Sequence, residues 1–232
     1  MKKLAFISDT HGKHHEIKIE PCDILFHSGD ISNIGAAMEI ADFINWFKQQ
    51  PAKNKVFIAG NHDRGLDWNY SQTRKYPADK LLSEQNYFDI QEQIKYLPSD
   101  IHYLQDEELE ISGIKIYGSP FSPSFYRHNW AFNADRGHEI RNIWRKIPED
   151  VNILLTHSPC KNILDLVYTE NVGCMDLQLR IRQLKNLKIH SSGHIHDNFG
   201  VEEKFGVKYI NAAVLDNNYE ALTHEPIYID YE

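Results

Sequence analysis

Five short groups of cation-binding residue types run along the chain in a fixed order. They are Asp9-Thr10-His11, Gly29-Asp30, Gly60-Asn61-His62-Asp63, His157, and Gly193-His194-Ile195-His196. Carboxylate and amide oxygens mixed with imidazole nitrogens suit divalent transition metals. Each group follows a short apolar run, so the groups fall at the ends of expected strands and can converge in space. Converging ligands of this kind make a two-metal site, whose characteristic reaction is phosphate-ester hydrolysis.

The residues divide the work by type. Asp9 and His11, one residue apart at a strand end, can point at one cation. A carboxylate has two oxygens, and Asp30 is the best placed to bridge two ions, because Gly29 lets the backbone come close. Asn61 offers a neutral amide oxygen. His62 need not bind metal; it can protonate a leaving oxygen from across the site, with Asp63 to orient or charge-stabilise it. His194 and His196 can serve different metals from one loop. Taken singly, each has a plainer reading: Asp9 or Asp30 as a helix N-cap, Asn61 as a turn residue, any one of the 13 histidines as a surface side chain. The joint order, with glycine beside three of the groups, favours the metal site.

The elements that must position these groups alternate. Leu4–Ile7 is a continuous apolar run that suits a strand buried on both faces, and Asp23–Phe26 reads as the second strand. Ala36–Phe47 has apolar residues at helical spacing and is stopped by Pro51. Lys55–Ala59 is a third strand. This is α/β logic, with the site at the carboxyl ends of the strands. Residues 64–79 read as an irregular loop leading to a short helix near 80–85. Ile101–Leu104, Glu107–Ile111 and Lys115–Tyr117 read as an antiparallel meander. An aromatic loop with Phe125, Tyr126, Trp130 and Phe132 follows. Arg136–Ile147 reads as an amphipathic helix, Val151–Leu155 as a strand, Asp176–Leu184 as a helix and Leu187–His190 as a strand. Val201–Ile210 has a hairpin signature, and Pro226–Ile229 reads as a final strand. No repeat or linker marks a boundary, so one domain spanning 1–232 with two sheets is expected.

With 232 residues, 41% of them apolar, a sizeable core is possible. The net charge of −8 gives no general attraction to a nucleic-acid backbone. That weighs against long DNA or RNA, but not against a small phosphate ester, for which bound metal supplies the positive charge. Cys22, Cys160 and Cys174 form no CxxC pair and are read as reduced thiols of a cytoplasmic protein. Cys160 lies near His157 but reads as a small buried hydrophobe. The apolar run after Lys3 stops at Ser8, short of a signal peptide, and no run reaches membrane-span length. A soluble, unprocessed chain with no membrane partner is the expectation.

The order Asp-x-His, Gly-Asp, Gly-Asn-His-Asp, His, Gly-His-x-His resembles the calcineurin-like metallophosphoesterase superfamily, with no motif missing over residues 9–196. Tyr117-Gly118-Ser119-Pro120, Trp130-Ala131-Phe132-Asn133 and Gly173-Cys174 are similar to segments of its metallophosphoesterase-domain (MPPED) branch of class III phosphodiesterases. The resemblance implies a four-layer α-β-β-α sandwich, two mixed sheets flanked by helices. It implies one metal on Asp9, His11, Asp30 and His196, and a second on Asp30, Asn61, His157 and His194. Some members of that branch lack the first histidine of the last motif and are weak enzymes; here His194 is present. It adds manganese as a common activator, while the donors alone also suit iron, zinc, cobalt or nickel. Two ions about 3.5–4 Å apart would share a hydroxide that attacks phosphorus in line with the leaving group.

The expected substrate is a small organic phosphate ester, foremost a nucleotide-type diester. Asn61, His62, Arg64, Trp130 and Asn133 are the candidate contacts, since aromatic faces stack on bases. Arg127, His128 and Arg136 are weaker candidates for the phosphate, and Trp68 and Tyr70 for the mouth. The alternatives are a phosphomonoesterase, a phosphoprotein phosphatase or a dinucleoside-polyphosphate hydrolase. From a different class comes a nucleotide-binding regulatory or scaffold protein with little turnover. Oligomeric state is left open.

Overall fold

The computed structural model describes residues 1–73, 84–125 and 130–232. Two mixed sheets carry the molecule. In the first, β1 (Lys2–Ile7), β2 (Cys22–His27), β3 (Ala52–Phe57) and β4 (Ile101–Tyr103) run parallel, and β15 (Ile227–Tyr231) closes the β1 edge antiparallel. In the second, the parallel strands are β6 (Ile114–Ser119), β9 (Ile153–Thr156), β12 (Ile189–Ser192) and β14 (Val207–Asn211). Antiparallel β5 (Glu107–Ile111) and β13 (Gly200–Lys204) flank them. Two-stranded pairs form from β7 (Ser122–Pro123) with β8 (Asn133–Ala134), and from β10 (Leu166–Val167) with β11 (Glu170–Asn171).

The continuous apolar strands have a simple cause: each has a core on both faces. Leu4, Phe6, Ile24, Phe26 and Val56 meet Ile116, Ile153, Leu155 and Ile210 between the sheets. The alternate residues Ala5, Ile7, Leu25 and Phe57 pack outward on Ile40, Phe43, Ile44 and Phe47 of α1 (Ala37–Lys48) and on Ile90 of α3 (Glu84–Lys95). On the far side Tyr117, Leu154 and Tyr209 pack on Trp144 of α4 (His138–Trp144) and Leu177 of α5 (Met175–Ile181). Helix, sheet, sheet, helix is the four-layer order expected.

Three readings are corrected. Residues 101–104, 107–111 and 115–117 are not a meander: β4 joins the first sheet beside β3, and only β5 and β6 form a hairpin, in the second sheet. The chain crosses between sheets where a tight return was expected. Residues 64–73 are not irregular, since a 3-10 turn, Arg64–Leu66, leads into α2 (Trp68–Thr73). The helix expected near 80–85 is instead α3, continuing to Lys95; its first expected residues, 80–83, lie outside the described residues. Among the described residues no helix is long and apolar enough to cross a membrane.

Candidate metal centre

All five motifs lie just beyond strand ends. β1 leads to Asp9 and His11, β2 to Asp30, β3 to Asn61–Asp63, β9 to His157, and β12 to His194 and His196. Three motifs come from one sheet and two from the other, so the centre sits on the shared carboxyl edge. Asp9, His11, Asp30 and His194 all have positive φ, at 55, 41, 54 and 68°. Non-glycine residues rarely accept that region, and strain of this kind gathers at functional sites.

The glycines have steric causes. A Cβ on Gly193 would lie 1.9 Å from Asp9 Oδ2, and one on Gly60 would lie 2.3 Å from Asp30 Oδ1. Gly29, at φ 100°, has Ala59 and the His157 ring against it.

Three overlapping donor groups result among the described residues, one of them His11, Asp30 and His62, whose ligand atoms lie within 4.8 Å of one another. Asp9, His11 and His196 bring ligand atoms within 4.8 Å of one another, and so do Asp30, His157 and His194. His196 Nε2 lies 3.3 Å from Asp9 Oδ1. His157 Nε2 lies 2.9 Å from Asn61 Oδ1 and 3.3 Å from Asp30 Oδ2. Asp30 Oδ2 is also 3.8 Å from His11 Nε2, so this carboxylate stands between the groups. Donors on one transition-metal ion at about 2.0–2.2 Å must lie roughly 3 Å apart, so these separations fit.

Protonation and hydrogen bonding fit a cation as well. His157 Nδ1 faces the Ser28 carbonyl at 3.0 Å and His196 Nδ1 the Asp216 carbonyl at 2.9 Å. Each Nδ1 therefore carries the proton, and each Nε2 is aimed at the acidic centre. Burial holds His11 down to about 4 and His194 to about 3, which leaves both neutral. Both His11 nitrogens are buried without a hydrogen-bond partner among the described residues. Burial opposes charge on His157 and His196 too, but Asp30 and Asp9 outweigh it and raise each to about 9. The same contacts hold Asp9 and Asp30 below the usual carboxylate range despite their burial. Buried carboxylates crowded this closely with imidazoles fit divalent cations.

His62 stands at the rim. Its Nδ1 donates to the Asn33 carbonyl at 2.8 Å, and its ring packs 4.5 Å from Trp130 and 4.6 Å from His11. The expectation that Asp63 orients His62 is corrected. Asp63 Oδ1 accepts from Ser32 N and Oγ at 2.9 and 2.6 Å; Oδ2 accepts from Gly60 N and Ile31 N at 2.8 and 3.2 Å. Burial and the charge of Asp30 push Asp63 up to about 7 against these four donors. It ties the Asp30 loop to the Asn61 loop. Asn33 was not anticipated, because a backbone carbonyl carries no residue-type signal.

The other candidates are placed as follows. Arg64 lies over the Trp130 ring at 4.6 Å, beside His62. Asn133 is turned to Ser122 Oγ at 3.0 Å within the β7–β8 pair, which fixes the loop. Arg136 donates to the Gly173 and Val172 carbonyls at 3.0 and 2.6 Å. Trp68 packs on Tyr87 of α3, while Tyr70 faces Arg64. Tyr126, Arg127 and His128 lie outside the described residues. Cys160 is buried, and its thiol is pushed up to about 12, so it is inert. One neighbour was missed: Tyr219 stands 4.4 Å from His11 and 5.0 Å from His196, on a turn with no motif to mark it. Beside His194, a cavity of about 220 Å³ is lined by Phe125, Arg136, Pro159, Val167 and Val172.

Comparison with known proteins agrees with this geometry. The family model described as calcineurin-like phosphoesterase matches residues 2–198. The chain is 35% identical to human Metallophosphoesterase domain-containing protein 1 over 236 residues, covering 98% of this chain and 70% of that one. It is 32% identical to a UPF0046 protein of Caenorhabditis elegans over 211 residues, covering 91% and 69%. The solved structure of TT1561 from Thermus thermophilus shares the fold, with a TM-score of 0.59 at 9% identity over 90% and 88% of the two chains.

Proposed function

The chain belongs to the calcineurin-like phosphoesterase family, and on that premise we propose that it is a phosphodiesterase for small, nucleotide-type diesters. The observation that carries this reading is the meeting of two donor groups on either side of Asp30. We assign one divalent ion to Asp9, His11, Asp30 and His196, and a second to Asp30, Asn61, His157 and His194. Manganese is the favoured ion, and iron, zinc, cobalt and nickel fit the same donors. Bound there, the ions supply Lewis acidity to the phosphate oxygens and lower the pKa of a water.

The chain's own residues do the rest. Asp30, His157 and Asn61 hold their donors in one cluster; Asp30 Oδ1 is fixed by accepting from His62 N and His157 by donating its Nδ1 proton to the Ser28 carbonyl. The Asn33 carbonyl holds the His62 Nδ1 proton, so the doubly protonated ring presents Nε2–H to the leaving oxygen and, on giving that proton up, is left neutral with its proton on Nδ1. Trp130 and Arg64 brace that ring from outside. Asp63 holds the Asp30 and Asn61 loops in register.

A diester retains an organic group after cleavage, and the cavity beside His194 offers it a place. Phe125, Pro159, Val167 and Val172 supply apolar walls with Arg136 among them. Pockets of this kind seat organic groups by burial with a few polar contacts. Both sheets donate to one centre, which supports treating residues 1–232 as one functional unit. Three buried free cysteines are consistent with a cytoplasmic setting.

The test compares bis-p-nitrophenyl phosphate with p-nitrophenyl phosphate, in EDTA and then with Mn²⁺ restored. Metal-dependent cleavage of the diester well above the monoester supports the reading. Monoester preference replaces it with a phosphatase, and bound metal without turnover replaces it with a binding protein.

A further inference from the structure

A second set of metal-type donors lies outside this centre. His14 and His15 begin the 3-10 turn His14–Glu16, and Asp42 is on α1. His14 Nε2 is 3.1 Å from Asp42 Oδ2, and His15 Nε2 is 3.0 Å from the same oxygen. The three ligand atoms lie within 4.8 Å of one another.

The cluster is half built in and half open. The His14 side chain is 1% exposed, with its ring 5.2 Å from Trp46 and 5.6 Å from Phe43. Packing therefore sets its direction before any ligand arrives. Burial holds it down to about 4, so at neutral pH the ring carries one proton, which Nε2 donates to Asp42 Oδ2; an ion at Nε2 displaces that proton to Nδ1. His15 and Asp42 are about half exposed, at 56% and 54%, so an ion can enter from solvent.

We propose that His14, His15 and Asp42 form a separate peripheral site for a zinc-class dication, with water completing the shell. Two imidazoles and one carboxylate with an open position are a donor set zinc accepts. Tetrahedral donors at about 2.0–2.1 Å lie roughly 3.4 Å apart, so the observed contacts need only a small opening. The imidazole majority favours zinc, copper or nickel over manganese, so this site differs in preference from one active with Mn²⁺. A bound ion would staple the turn that follows His11 to α1.

The test is zinc stoichiometry by equilibrium dialysis on metal-stripped full-length protein at pH 7.5. Wild type is compared with His15→Ala and Asp42→Asn, both at exposed positions that leave the core intact. Each variant is expected to bind one equivalent fewer than wild type, whatever the central site holds, and to keep Mn²⁺-dependent turnover. Equal zinc in wild type and both variants would overturn the site, leaving the cluster as hydrogen bonds to one carboxylate. Loss in one variant but not the other would overturn the three-donor geometry.

Discussion

His157 Nε2 lies 2.9 Å from the Asn61 amide oxygen across 96 residues of chain and across the two sheets. Asp30 Oδ2 completes the triangle at 3.3 Å. Without a cation, burial opposes a charge on this ring but the Asp30 carboxylate outweighs it and holds a proton there, so His157 is raised to about 9. His196 is raised to about 9 by Asp9 in the same way. Both must lose that proton to ligate, whereas His11 and His194 are already neutral. Loading metal-free protein at pH 7.5 should release about two protons per chain, one from each raised histidine. Titration in weakly buffered indicator dye measures this; no release would contradict the ligand assignment.

Asp63 and His62 are neighbours with separate duties. Asp63→Ala strands four buried donors, each costing about 1–3 kcal/mol. It should lower the melting temperature and weaken metal binding by about 10–100-fold. His62→Ala should leave metal content and stability unchanged and reduce turnover by about 10²–10⁴-fold. Metal analysis and thermal melts of the two variants check this. Matching profiles would contradict the separation.

Gly193 is where a single methyl group would strike a candidate metal donor directly. The Cβ of Gly193→Ala would meet Asp9 Oδ2 at 1.9 Å and Ser8 Oγ at 2.1 Å, all within a buried loop. Asp9 must move, and with it the hydrogen bonds at 3.0 and 2.9 Å that its oxygens accept from His194 N. The variant should bind metal at least about tenfold more weakly, by isothermal titration. Unchanged affinity would show that the loop yields without cost.

His190 gives a pH dependence away from the metal donors. It is buried behind Thr156, to whose Oγ1 its Nε2 donates at 2.8 Å, and burial lowers it to about 3 from 6.5. Below pH 6.5 the unfolded chain takes a proton that the folded chain refuses, so stability falls as pH falls. The slope is about 1.4 kcal/mol per pH unit, or roughly 2 kcal/mol by pH 5. His190→Gln should remove that part of the loss between pH 7.5 and 5 in urea denaturation. An identical loss in variant and wild type would contradict it.

The buried strands and the motif order were legible because one cause marks both. Leu4–Ile7 and Ile153–Leu155 are continuously apolar since each strand has a core on both faces, and the donors follow where the strands end. Partnership was less legible. Ile101–Tyr103 is three residues long, and nothing in so short a strand says which sheet receives it. In α3 only Asn86 and Ile90 are buried, too few for a stripe. Side-chain direction was hidden too. Asp63 sits beside His62 in the chain, yet its carboxylate turns back to Ser32 and Gly60. Tyr219 reaches His11 from a turn whose own residues announce only a turn.

The central claim is that hydrolysis depends on metal held through Asp30. The most direct measurement is turnover of bis-p-nitrophenyl phosphate by metal-stripped protein before and after Mn²⁺ is restored, wild type beside Asp30→Ala, with bound metal counted in the same samples. The account predicts no turnover without metal, recovery in wild type, and neither metal nor recovery in folded Asp30→Ala. Turnover by the stripped protein, or full metal and full recovery in Asp30→Ala, would contradict it.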